Sequence, residues 1–137
     1  MTFSSMTRLL VIDQDTFGEY FLKHILNPNE FEIIKVNSSK EGINASQTWN
    51  PDVIIINITQ PSSAGSKLCR RIRSFTQAPI LVLAIVSDPN SIALWLDAGA
   101  DDYLTKPISS DILIAHLQKL TRRSKIIHNH PEVSIIQ

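Results

Sequence analysis

The chain of 137 residues holds a single cysteine, Cys69, so it can close no internal disulfide. Cysteine usage of this kind fits a reducing compartment, and the cytoplasm is the expected setting. Neither charge is in excess: thirteen Lys and Arg stand against thirteen Asp and Glu, giving a formal net charge of zero. Nucleic-acid surfaces depend on a basic excess, so direct nucleic-acid binding by these residues is not expected. No apolar run approaches the roughly 18 residues that would cross a membrane. The opening Met1-Thr2-Phe3-Ser4-Ser5-Met6 lacks the basic and apolar blocks of a secretion signal, so no membrane partner is expected either. Internal repeats and low-complexity tracts are also absent.

What remains is 43% apolar and 19% charged, at the length of one domain, which is enough to bury a single core. Apolar runs and helical patterns take turns. The runs at Arg8 to Ile12, Phe31 to Val36, Val53 to Ile58, Ile80 to Val86 and Tyr103 to Thr105 are short and continuous, as in strands buried on both faces. Helical spacing fills the gaps at Phe17 to Leu26, Ser39 to Trp49, Ser66 to Phe75, Ser91 to Ala98 and Asp111 to Arg123. Short connections between alternating strands and helices require right-handed crossovers. A doubly wound α/β domain follows, with a five-stranded parallel sheet, five helices and a ligand site at the carboxyl ends of the central strands.

Local signals mark several boundaries. Asp15 is a plausible N-cap for the first helix, and Ser109 or Ser110 for the last. Asn27-Pro28-Asn29 and Asn50-Pro51 break helices before the second and third strands. Gly99 can take the left-handed turn that ends the fourth helix. Residues 124–137 differ in character, polar and basic first, then apolar at Val133, Ile135 and Ile136. They read either as a linker toward an absent output domain or as a tail that docks, leaving residues 1–123 as the domain.

The strand ends carry Asp13, Gln14 and Asp15, then Asn57 to Pro61, then Ala84, and finally Lys106 before Pro107. With Gly99-Ala100-Asp101-Asp102-Tyr103-Leu104-Thr105-Lys106-Pro107 the most specific stretch, residues from about Arg8 to Arg123 resemble a receiver domain of bacterial response regulators. Pro51 to Ile56 followed by Asn57 and Pro61, and Val11-Ile12-Asp13, carry the same resemblance. It implies the flavodoxin-like (βα)5 fold. It also implies self-phosphorylation of a carboxylate at the end of strand three, assisted by Mg²⁺, a lysine and a hydroxyl.

The residues depart from that chemistry at three points. Asn57 stands where the nucleophile belongs, and an amide has no carboxylate oxygen to form an acyl phosphate. Gln14 replaces one acid of the family's pair, leaving Asp13 as the one expected anionic ligand. Each carboxylate lost at about 4 Å removes roughly 4 kcal/mol of attraction per unit of metal charge, at an effective dielectric near 20. No metal and no cofactor are therefore expected. Ala84 replaces the hydroxyl, while Lys106 survives. The set Asp13, Gln14, Asn57, Ala84 and Lys106 resembles a degenerate phosphorylation pocket, and the chain a pseudo-receiver without enzymatic activity. Tyr103 falls at the family's switch aromatic, and the room left by Ala84 predicts an inward ring.

The last helix is similar to that of receivers joined to winged-helix DNA-binding domains, which pair through helix four, strand five and helix five. Where that face would carry ion-pairing residues, this chain has Ile92, Ile112 and His116, with Trp95 nearby. An apolar face of this kind predicts a protein partner or a homodimer. The reading is an atypical receiver that regulates transcription through protein contacts and an output domain outside this chain. Its rivals are phosphorylation on another carboxylate, such as Asp13 or Asp15, and a small-ligand sensor using the vacated pocket.

Overall fold

The computed structural model describes residues 6–13, 17–59, 63–85 and 88–129, and the side chains of 17–19 and 123–129 fall outside that description. Strands and helices alternate as β1 (Thr7–Ile12), α1 (Phe17–Ile25), β2 (Phe31–Val36), α2 (Ser39–Thr48), β3 (Val53–Ile58), α3 (Ala64–Arg73), β4 (Ile80–Ala84), α4 (Pro89–Asp97), β5 (Asp102–Thr105) and α5 (Ser110–Asn129). All pairings are parallel and the strand order is β2-β1-β3-β4-β5. The chain thus runs outward from β1 in both directions, and the order reverses beside β1 and β3. A crevice opens at such a point because the adjoining helices leave on opposite faces.

Successive strand residues point to opposite faces, and this alternation divides the core into two layers. Leu10, Ile12, Ile54, Ile56 and Val82 pack with Leu68, Ile72 and Trp95 from α3 and α4. Leu9, Val11, Ile55 and Leu83 pack with Leu22 of α1 and Leu113, Leu117 and Leu120 of α5. Cys69 is fully buried in the first layer, as expected of a small core residue. Burial pushes its thiol up to about 11, which leaves it unreactive.

Several ends follow the local chemistry. The α4 terminus is a Schellman turn: Gly99 has φ 119°, Gly99 N donates to Leu96 O, and Ala100 N donates to Trp95 O. Asn50 takes φ 55° between α2 and β3, a conformation that asparagine tolerates. Of the two candidate caps for α5, Ser109 accepts from Ile112 N at 3.2 Å. The proposed cap Asp15 lies outside the described residues.

Several expected boundaries move. The fourth strand stops at Ala84 rather than Val86, because pairing to β3 and β5 ends at Ile58↔Ala84 and Ala84↔Thr105; Ile85 is then turned out to solvent. Val86 lies outside the described residues. The α4 helix starts at Pro89 instead of Ser91, with Asp88 as its cap and proline in the first turn, where the missing N–H costs nothing. The α3 helix starts at Ala64, two residues before Ser66. The last helix runs past Arg123 to Asn129. Among the described residues no helix is long and apolar enough to cross a membrane.

Candidate functional site at the strand ends

The crevice is built from the residues that follow each central strand. Asp13 leaves β1 almost fully buried, at 1% exposure, held there by its backbone N–H to Val36 O at 3.0 Å. Asn57 lies on β3 beside it, and its Nδ2 donates to Asp13 Oδ1 at 2.9 Å. The amide's Oδ1 is buried and has no hydrogen-bond partner among the described residues. Lys106 follows β5, its backbone N–H donating to Ala84 O at 2.8 Å, and Asp13, Asn57 and Lys106 all line one cavity. The fold therefore brings these three together. Gln14 lies outside the described residues.

Ala84 and Tyr103 belong to the other layer. Ala84 is buried in the cluster packed under α3 and α4, and the half-buried Tyr103 packs against that same cluster. The sequence suggests an inward ring beside Ala84; the structure places Tyr103 half-buried against this cluster.

Two depressions flank the Asp13–Asn57 pair, and both residues line each of them. One, of about 310 Å³, opens toward α2 and α3 and includes Ser38, Ser39 and Thr59. The other, of about 300 Å³, lies on the α1 and α5 side and is lined mainly by apolar residues, among them Val11, Phe21, Ile55, Leu83 and Ile108. Phe21, Leu83 and Ile108 were not singled out in the sequence, because apolar residues at strand and helix positions carry no mark of facing a cavity.

A divalent cation does not fit these groups. Mg²⁺ requires oxygen acceptors, commonly carboxylates, whereas the Asn57 amide turns its N–H toward Asp13. The reverse amide orientation would press two oxygens together at 2.9 Å. Among the described residues no cluster of three or more His, Cys, Asp or Glu is placed to hold a metal. The Asn57 donor does part of what a cation would do, supplying positive polarity to a buried carboxylate.

This arrangement predicts the behaviour of Asn57→Asp. The substitution replaces a hydrogen bond by two adjacent carboxylates and should lower stability at neutral pH by about 2 kcal/mol. The carboxyl introduced at position 57 holds its proton better folded than unfolded. The deficit should therefore grow as pH rises through the carboxylate range and shrink as it falls. Urea titrations at pH 5 and pH 7, chosen as about one unit and about three units above ordinary carboxylate values, check this; an equal deficit at both would contradict the pairing.

The expected interface residues separate. Trp95 is a correction: it is 3% exposed and sits in the core under α4, because the helix turns its indole toward the sheet. Ile92 is half-buried against the same cluster. His116 places its Nδ1 2.6 Å from Asp102 Oδ2, so it is engaged within its own chain. Ile112 remains 52% exposed, and Leu94 and Leu96 on α4 join it as exposed apolar residues. Asp102 was missed as the partner of His116; the two are 14 residues apart and meet only because β5 and α5 pack together.

A five-stranded parallel sheet in 2-1-3-4-5 order, with its charged and amide side chains gathered at the switch between β1 and β3, defines a receiver-type signalling fold. Residues 9–118 match the family model for the response regulator receiver domain, and the chain belongs to that family. It is 33% identical over 118 residues to the response regulator protein GraR of Staphylococcus epidermidis, covering 86% of this chain and 52% of that protein. It is 29% identical over 120 residues to the transcriptional regulatory protein CseB of Streptomyces avermitilis, covering 88% of this chain and 51% of that one. The crystal structure of a two-component response regulator from Clostridium difficile matches with a TM-score of 0.79 at 31% identity, covering 86% of this chain and 98% of that chain. The chain thus spans about half the length of the curated relatives it matches.

Proposed function

We propose that this chain is a receiver that works without phosphorylation, acting through protein contacts as one part of a cytoplasmic transcription regulator. The observation that carries the reading is the Asn57–Asp13 hydrogen bond. The side chain at the end of β3 is a neutral amide whose N–H faces the carboxylate. It offers no nucleophilic oxygen anion to an incoming phosphorus. With alanine at position 84 there is no hydroxyl at the end of β4 to hold a phosphoryl oxygen. The transcriptional role rests on the relatives' names and on their greater length, which leaves room for an output domain outside this chain.

Contacts with a partner or a second copy are assigned to the α4–β5–α5 face. Ile112 supports this, as an apolar side chain left in water near the start of α5, and α4 carries exposed Leu94 and Leu96 on either side of the inward Trp95. Ile112→Glu should leave the fold within about 0.5 kcal/mol of the parent while weakening self-association in sedimentation, if the partner is a second copy.

The decisive test is the intact mass of the domain after incubation with acetyl phosphate, with and without Mg²⁺, beside an ordinary receiver as control. The expected result is no phosphoryl adduct on this chain while the control is modified. A Mg²⁺-dependent adduct would overturn the reading, and peptide mapping would then identify the carboxylate that accepts it.

A further inference from the structure

Charge is balanced over the whole chain but not along it. Residues 53–87 contain no Asp or Glu, and their only charged side chains are Lys67, Arg70, Arg71 and Arg73, all on α3. The cations divide by direction. Arg73 turns inward and ties down the corner at Gly99 and Asp101. Lys67, Arg70 and Arg71 are exposed, and at i, i+3 and i+4 they form one stripe on the side away from the buried Leu68, Cys69 and Ile72. Among the described residues none of these three side chains has an ion-pair or hydrogen-bond partner, whereas the exposed Arg8 has both Glu32 and Trp49 O. The stripe continues to Ser74 at i+7 and ends at Phe75, whose ring is left 45% exposed.

Helix chemistry accounts for only part of this. Arg70 and Arg71 lie in the last turn, where cations complement the helix dipole, but Lys67 closes the first turn, where a cation opposes it. Like charges at these spacings also repel one another. An anionic cover relieves both effects. We propose that the exposed face of α3 docks an acidic amphipathic helix of a partner protein, with carboxylates one turn apart against Lys67, Arg70 and Arg71 and an apolar side chain on Phe75. Charge complementarity sets the sign of the occupant, since guanidinium forks pair bidentately with carboxylates. Phe75 sets its class. Three cations fall short of the roughly six to ten phosphate contacts by which proteins hold duplex DNA, and a phosphate backbone offers nothing apolar to the ring. This face is distinct from the α4–β5–α5 surface, so it gives the regulator a second contact, and it holds whether or not the chain is phosphorylated.

The test is a titration of the full chain with a capped, labelled, alanine-rich peptide of about 16 residues, long enough to be helical, carrying glutamate at i, i+3, i+4 and i+7 and leucine at i+8. Amide NMR shifts and fluorescence anisotropy are the readouts. Saturable shifts centred on residues 67–75 are expected, with binding weakened at least about tenfold in Arg70→Gln/Arg71→Gln and at least about threefold in Phe75→Ser. Lys119→Gln/Arg122→Gln removes two exposed cations from α5 and should leave binding unchanged. Lys67→Gln supplies a second change on the stripe if the double variant fails to fold. The proposal is overturned if no saturable shift appears up to about 1 mM peptide. Parental binding by the folded stripe variants, or an equal loss in the α5 variant, also overturns it. Two further results would do the same by giving the face another occupant: tighter binding of a DNA duplex of about 20 base pairs at the same salt, or α3 shifts that depend on the concentration of the chain without peptide.

Discussion

Trp95→Ala is expected to cost about 3–5 kcal/mol of stability, the range for truncating a large buried aromatic, and to lower the melting temperature by roughly 10–20 °C in a domain of this size. The indole is 3% exposed and packs in the layer that also holds Leu68, Ile72, Val82 and Ala98. A Cβ at Gly65 would lie 3.5 Å from Trp95 Nε1, so the start of α3 leans directly on the ring. Alanine would leave a void between α3, α4 and the sheet that two helices tied at both ends can only partly close. Urea unfolding of the variant measures the loss. A cost below about 1 kcal/mol would return Trp95 to the surface role that its position on α4 had suggested.

Arg73→Met should be the second most damaging change, at about 2–4 kcal/mol, measured in the same way. The guanidinium donates to Gly99 O through both Nε and Nη2, to Ala78 O at 2.7 Å, to Thr76 O at 3.1 Å, and to Asp101 Oδ2 at 2.8 Å. Asp101 in turn accepts from Ile80 N at 2.8 Å, so one cation fastens the end of α3, the start of β4 and the corner before β5. Methionine would keep much of the stem's packing but strand those carbonyls and one carboxylate. The side chains of the pair are about a quarter exposed, 24% and 25%, which sets the estimate below that for a fully buried charge.

Much of the architecture was legible in the residues because it depends on local rules. A continuous apolar run such as Val53 to Ile58 has no polar face to give to solvent, so it must be a strand covered on both sides. Gly99 ended α4 because only a residue free to adopt positive φ closes that turn cheaply. The departures came where pairing partners, not propensity, decide. Ile85 has the residue type of a strand, but among the described residues neither neighbouring strand pairs with it past Ala84. The caps of α4 were similarly readable only in outline: Asp88-Pro89-Asn90 permits more than one start, and the Asp88 side chain selects Pro89 by accepting from Ser91 N.

The site divides along the same line. Its chemistry, an amide at position 57, an alanine at 84, and Asp13 and Lys106 retained, is written in residue types and needs no coordinates to exclude an acyl-phosphate at Asn57. Tertiary structure decided the rest: that Asn57 donates to Asp13, that His116 is engaged by Asp102 in its own chain, that Trp95 faces inward, and that an apolar cavity adjoins the polar strand ends. The physical reason is range. Strand and helix signals act over a few neighbouring residues, whereas each of these contacts joins side chains from different elements, 44 residues apart for Asn57 and Asp13, whose approach is set by how helices settle on a twisted sheet.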